Sequence, residues 1–174
     1  MPILKDTTLE SNKYLKINFD GGDLSSDAGL LLIKEFACKL GFVKLLKSEF
    51  KTNDTASFRY HKDDENLWQV IYQILGAYFE DDCADELTKD PILTAILVKK
   101  ALASQPTLSR FFNRMDEDSL NQFYTLMRRF RKVVYSIKKP EIILLDLDST
   151  LLNTYGHQEG EGFNFHYQNH GYHP

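Results

Sequence analysis

Two carboxylates one residue apart, Asp146 and Asp148, close an apolar run that begins at Ile142, and Ser149 and Thr150 follow them at once. Ile142 to Leu145 is a short, uninterrupted β-branched and leucine stretch behind Pro140, the pattern of a strand buried on both faces. Period-two alternation would put both acids on one face of that strand. Carboxylates held so close repel unless a cation or a shared proton relieves them. The pair therefore points to divalent-metal or nucleophile chemistry, with Asp146 and Asp148 as the candidate catalytic residues.

A second group of residues suits a polyanion. In Ala103-Ser-Gln-Pro-Thr-Leu-Ser-Arg-Phe-Phe-Asn-Arg114 a helix breaks at Ser104 or Gln105 and restarts at Pro106 and Thr107, with Ser109, Arg110, Asn113 and Arg114 on a shared polar side. Helix, short turn and polar helix is the arrangement with which a helix-turn-helix meets phosphates and base edges, and it makes Gln105, Thr107, Ser109, Arg110, Asn113 and Arg114 candidate DNA contacts. A helical hairpin with exposed arginines fits the same residues. The next helix, over 116–137, opens with Asp116-Glu-Asp118 and finishes with Arg128, Arg129, Arg131 and Lys132. Those four bases are further DNA candidates, although acids first and bases last also complement a helix dipole.

The charge is unevenly spread. The net formal charge is −6 over residues 1–98, +7 over 99–139 and −5 over 140–174. A basic block flanked by acidic segments is an electrostatic footprint for nucleic acid beside a pocket that would attract a cation. The chain of 174 residues is 43% hydrophobic, enough for one core or for one helical domain plus part of a second. Its longest apolar runs fall far short of the ~20 residues of a bilayer span, and its N-terminus lacks the basic start and apolar core of a signal peptide. A cytoplasmic, nucleoid-associated protein with no membrane partner is expected. Cys38 and Cys83 lie far apart within helical patterns, which indicates free thiols rather than a disulfide framework.

These groups are positioned by a mostly helical chain. Tyr14 to Phe19 alternates as a strand and stops at Asp20-Gly-Gly22. Ser25 or Ser26 should cap a helix with apolar positions Ala28, Leu31, Leu32, Phe36 and Leu40, ending at Gly41, and a shorter helix spans 43–50. Asp63 or Asp64 opens a helix with Leu67, Val70, Ile71, Ile74, Leu75 and Tyr78 on its apolar face. Pro91, behind Asp90 as cap, starts another with Leu93, Ile96, Leu97 and Leu102. The acids Glu80-Asp-Asp82 read as a solvated connector. The stripe of the 116–137 helix is Leu120, Phe123, Tyr124, Met127 and Phe130. After the boundary at Lys138-Lys-Pro140, the glycines at 156, 160 and 162 predict a turn. Phe163, Phe165 and Tyr167 then alternate with polar residues as a second strand pairing back on the first. The histidines at 157, 166, 170 and 173 do not have the spacing of a compact zinc motif and read as strand decoration.

Leu144-Leu-Asp-Leu-Asp-Ser-Thr-Leu-Leu152 resembles the first motif of haloacid-dehalogenase phosphatases, in which the first Asp would be the nucleophile and the second the general acid/base. That fold builds its parallel sheet after the motif, and only 22 residues follow here. A wider resemblance covers nearly the whole chain. Leu24-Ser-Ser-Asp-Ala-Gly-Leu-Leu-Leu-Ile33, Asp90-Pro-Ile-Leu93, Leu102-Ala-Ser-Gln-Pro-Thr-Leu-Ser-Arg-Phe111, the Asp-Leu-Asp-Ser-Thr strand, Gly156-His-Gln-Glu-Gly160 and Tyr172-His-Pro174 resemble, in order, the N-terminal part of bacterial insertion-sequence transposases of the group typified by insertion sequence thirteen-eighty. The resemblance implies an α+β, mostly α, fold. A helical DNA-binding region over 1–137 would lead into the first strands of a truncated RNase H-like DDE domain over 138–174. It also implies that Asp148, ahead of Asp146, is the first triad carboxylate and a ligand of magnesium. The DNA partner would be the element's terminal inverted repeats, with a second copy or an intact transposase as a further partner. The family's chain continues past Tyr-His-Pro with the second Asp and the Glu, so the expectation is a fragment inactive on its own. A DNA-binding module alone is the alternative.

Overall fold

The computed structural model describes residues 6–22, 24–146 and 148–173. The first five residues, Asp23, Leu147 of the acidic motif and Pro174 of the closing Tyr-His-Pro lie outside the described residues. The architecture is α+β and rich in helix, divided into two compact units, Met1–Lys138 and Lys139–Pro174.

The first unit opens with a small antiparallel ribbon in which β1 (Thr7–Thr8) pairs with β2 (Lys16–Ile17), Thr7 opposite Ile17. The strand expected over Tyr14–Phe19 is thus only two residues long. With a single two-residue partner, nothing further extends the ladder, and Tyr14 stands in solvent. Helix α1 (Gly29–Lys39) starts one turn later than its serines suggest: Ala28 is the N-cap, and Ser25 Oγ accepts instead from the Asp27 N–H at 3.1 Å. It buries Leu30, Leu31, Glu35 and Ala37 and leaves Leu32 and Phe36 at the surface. Glu35 goes inward because its carboxylate accepts the N–H groups of Glu10 and Ser11, at 3.2 and 2.9 Å, which satisfies backbone donors of the chain laid across it.

Helix α2 (Phe42–Glu49) packs on α1 and on α7 (Glu117–Ile137). Phe50 closes this layer between Phe111 and Phe123, with ring centroids 6.1 and 5.1 Å away. Helix α3 (Asp63–Leu75) opens where expected, but its buried side is Asn66, Leu67, Trp68, Gln69, Tyr72 and Gln73, while Ile74 and Leu75 are half exposed. The apolar stripe read from sequence is shifted because Gln69 earns its burial through two hydrogen bonds. Its Nε2 donates to the Ala103 carbonyl at 2.7 Å and its Oε1 accepts the Ala103 N–H at 2.8 Å.

A short α4 (Cys83–Glu86) and a 3-10 turn lead to α5 (Pro91–Leu97), which Asp90 caps by accepting the Leu93 N–H at 2.7 Å. The helix ends at Leu97, where Val98 turns left-handed with φ of 54°. Leu102 is therefore not part of it. That residue is buried from an irregular segment, with its N–H donated to the Thr88 carbonyl at 2.8 Å. Helix α6 (Gln105–Phe112) follows. In α7, Asp116 caps by accepting the Ser119 N–H at 3.0 Å, and the buried side is Leu126 with half-buried Phe123 and Phe130. Leu120, Tyr124 and Met127, expected in the same stripe, face solvent.

In the second unit the order is β3 (Leu152–Asn153), β5 (Asn169–Tyr172), β4 (Gly162–Asn164), all antiparallel with β5 in the middle. Gly171 is required there: a Cβ would lie 2.3 Å from the Leu152 carbonyl oxygen. The strand expected at Ile142–Leu145 does not form, and Phe163 pairs with His170 rather than with that run. A strand buried on both faces exists only through its neighbours, and among the described residues none pairs with 142–146. These four aliphatic residues are 61–90% exposed.

Candidate functional site

The described residues of the acidic motif lie outside any helix or strand, just ahead of the three-stranded sheet in the chain. Both Asp146 and Asp148 are exposed. Asp148 accepts the N–H of Ser149 at 2.8 Å, which turns its carboxylate back on the main chain. Tyr167 holds the next residue from the far side of the β4–β5 hairpin, donating to the Ser149 carbonyl and lying 3.0 Å from Ser149 Oγ. The hairpin loop that presents Tyr167 is itself shaped by Asn164, whose Oδ1 accepts the N–H groups of His166 and Tyr167. Ser149, Thr150, Leu151, Asn153, Tyr167 and Asn169 line a shallow depression of about 410 Å³. Sequence reasoning placed Tyr167 in a strand and missed this anchor, for which neither type nor spacing is a signal.

Behind the depression the glycine turn folds as its composition suggests, with positive φ at Gly156 and Gly160. It brings Glu161 beneath Thr154, whose hydroxyl donates to it. His157 Nδ1 and His170 Nδ1 lie 3.4 and 3.9 Å from its carboxylate. The Thr154 hydroxyl, more than the histidines, holds the Glu161 carboxyl below the usual glutamate range. Among the described residues no group of three His, Cys, Asp or Glu side chains is gathered to hold a metal ion. The motif offers Asp148 and Asp146 as exposed acids, and the described residues do not make a magnesium cage.

The residues expected to contact DNA part company. Seven residues separate α5 from α6, with α5 packed on α1 and α3 and α6 on α3 and α4. A helix-turn-helix joins its two helices by a 3–4-residue turn, so that unit is not built here. Arg114 is committed inward. Its Nη2 donates to Asp63 at 2.9 Å, its Nε to Thr52 Oγ1 at 3.2 Å, and its Nη1 to the Arg110 carbonyl at 3.0 Å. Gln105, Ser109 and Asn113 line a groove of about 370 Å³ together with Ile74, Phe79 and Phe112 and the acids Glu80 and Asp81. Apolar walls and carboxylates are the wrong lining for phosphates. Thr107 is half-buried and accepts from Arg110 Nη2 at 3.2 Å.

The bases on α7 remain outward. Arg128, Arg129, Arg131 and Lys132 are all exposed, and among the described residues only Arg129 of the four has an ion pair, with Glu49 at 2.9 Å. With Arg110, the unpaired three are the cations from the predicted set that are free to meet a polyanion. Lys99, in the same basic block, is spent on Glu65 at 2.5 Å and on the Tyr60 ring.

A family model described as transposase DDE domain, group 1, matches residues 7–174. The chain belongs to that family. The match runs through both compact units, so the helical unit and the acidic motif are parts of one family pattern. Neither a curated protein nor a solved structure gives a match to this transposase-family chain. No described helix is long and apolar enough to cross a membrane.

Proposed function

We propose that this chain serves DNA transposition as a DDE transposase of the group typified by insertion sequence thirteen-eighty, recognising the terminal inverted repeats of its element. The family match over residues 7–174 carries the reading. It is supported by the acidic motif at 146–150 and by the outward bases of α7. In this reading the helical unit binds DNA chiefly through Arg110, Arg128, Arg131 and Lys132, and the second unit begins an RNase H-like domain with Asp148 as its first catalytic carboxylate. DDE transposases generally use a divalent metal, and magnesium is the ion that goes with this reading. The described residues gather no metal-holding group; the reading takes the chain alone to bind DNA without cutting it.

The test is a paired assay of the whole chain on DNA carrying the element's ends, reading binding by fluorescence anisotropy and nicking with magnesium present. Salt-sensitive binding without nicking supports the reading. Robust nicking abolished by Asp148→Ala would overturn the inactivity of the chain alone, and absent or salt-insensitive binding would overturn its role at DNA.

A further inference from the structure

Two glutamines on one face of α3 meet different fates. Gln69 bonds both polar groups of the Ala103 backbone, at 2.7 and 2.8 Å, just ahead of α6. Gln73 lies one turn further along the same face. It is only 6% exposed, yet among the described residues its side-chain amide has no hydrogen-bond partner. A buried amide without partners is costly and rare in a folded chain. Gln73 lines the groove of about 370 Å³ between α3 and α6, a volume within the range of ligand sites. The apolar sides of that groove are not spent on the core: Ile74, Phe79 and Phe112 are 54, 72 and 45% exposed.

The chain after α3 supplies the rim of the groove and its charge. Helix α3 ends where Ala77 turns left-handed, with φ of 64°, and the Tyr78 N–H donates to the Gln73 carbonyl at 2.8 Å. That turn brings Phe79, Glu80 and Asp81 to the groove, and the Tyr78 hydroxyl fixes it by donating to Asp27 at 2.8 Å. Asp85 is already used, accepting the Gln105 N–H at 2.9 Å. Glu80 and Asp81, by contrast, are exposed and have no ion pair among the described residues. We propose that this groove is the docking site for an extended segment of a protein partner, one that carries a large apolar side chain next to a lysine or arginine. Gln73 bonds the N–H and C=O of that segment's backbone, as Gln69 does for Ala103. The apolar side chain packs against Phe79 and Phe112, and the cation meets Glu80 and Asp81. The same acids disfavour a nucleic acid or an anionic lipid surface in the groove. This inference does not rest on the DNA reading, since Arg128, Arg131 and Lys132 of α7 take no part in it.

The probe is the blocked peptide acetyl-alanyl-phenylalanyl-arginine amide, followed by the side-chain amide and aromatic resonances of the full chain. Titration to about 5 mM brackets a complex of about millimolar affinity. Saturable shifts at Gln73, Phe79 and Phe112 are expected, and the same peptide with glutamate in place of arginine should bind at least about tenfold more weakly. Gln73→Met keeps the bulk and removes both hydrogen bonds, and should weaken binding by about tenfold. Glu80→Lys combined with Asp81→Lys changes two exposed side chains, so the fold is retained, with circular dichroism as the control, and binding of the arginine peptide should be lost. Absence of saturable binding, equal affinity for the two peptides, or shifts confined to residues away from the groove would each overturn the proposal. So would binding that survives the double charge reversal or is indifferent to a folded Gln73→Met chain. Self-association that the double charge reversal abolishes would overturn it too, because the occupant is then a second copy.

Discussion

Arg114 and Asp63, 51 positions apart, are joined by a 2.9 Å hydrogen bond that ties the end of α6 to the first turn of α3. Asp63 also accepts the backbone N–H and the hydroxyl of Thr52, at 2.8 and 2.7 Å. The pair thereby anchors the long irregular segment before α3. Both side chains are about five-sixths buried, at 16 and 17% exposure. Asp63→Ala should destabilise the chain by about 2–3 kcal/mol, since it takes one of two carboxylates from the Arg114 guanidinium, Asp54 at 3.5 Å remaining, and leaves the Thr52 N–H without its acceptor. Urea denaturation of the whole chain measures this. Arg114→Ala should act in the same direction, with its effect on stability rather than specifically on DNA affinity.

Gln69 pairs with both polar groups of the Ala103 backbone in a fully buried setting. Gln69→Leu keeps the bulk and removes both hydrogen bonds, so a cost of about 2–4 kcal/mol is expected from the two abandoned backbone groups. The Ala103 amide should lose its protection in hydrogen exchange, because its acceptor is gone. Unchanged exchange there would show that the segment before α6 is held by other means.

Acid should weaken the docking of the N-terminal ribbon. The Ser11 N–H, more than any other partner, holds the Glu35 carboxyl below the usual glutamate range. A carboxyl with a depressed folded pKa stabilises fully above its unfolded value, about 4.3, and that stability fades as pH falls through the lower folded value. The melting-temperature difference between the natural chain and Glu35→Gln should therefore be constant near neutrality and shrink in acid below that unfolded value. A difference that grows in acid would contradict the assignment.

Removing cations one at a time distinguishes the basic surfaces. Arg128→Ala or Lys132→Ala should weaken binding to DNA of any sequence and lower the slope of log affinity against log salt by about 0.9 per lost phosphate contact. Anisotropy titrations at several salt concentrations give that slope directly. Arg129→Ala should change it less, because Glu49 already neutralises that guanidinium.

Tyr167 is the only described side chain that bonds the Ser149 carbonyl, and Ser149 in turn orients Asp148. Tyr167→Phe keeps the ring and removes the hydroxyl. Faster amide exchange at Ser149 and Thr150 is expected, with the β4–β5 pairing unchanged. Equal exchange in both proteins would mean that the acidic motif is held by its own backbone.

Helix positions were legible because their punctuation is local: Asp63 in a first turn, Asp90 as a cap before Pro91, Asp116 before the longest helix. Which face each helix buries was less legible. Glu35 and Gln69 are buried by backbone groups 24 and 34 residues away, and no window of periodicity contains such partners. Arg110 and Arg114 look alike in sequence, yet one is exposed and the other is drawn inward by Asp63. The acidic motif was found from two residue types at one spacing. The strand inferred beneath it failed because a β-rich composition records what a segment can pair with, not what it meets.

The bare run Ile142–Leu145 casts its neighbours in another role. Four exposed aliphatic residues outside any strand are a segment on which other chains could stack, and nothing in the described structure shields them. What brackets them is Lys138, Lys139, Pro140 and Glu141 on one side and Asp146 and Asp148 on the other. Charges and a proline at the borders of an unavoidable sticky segment act as gatekeepers, since stacking would pile like charges on one another. The two acids that mark the candidate catalytic position are thus placed to oppose such stacking, and Asp146→Ala is expected to raise the chain's tendency to aggregate, which light scattering checks.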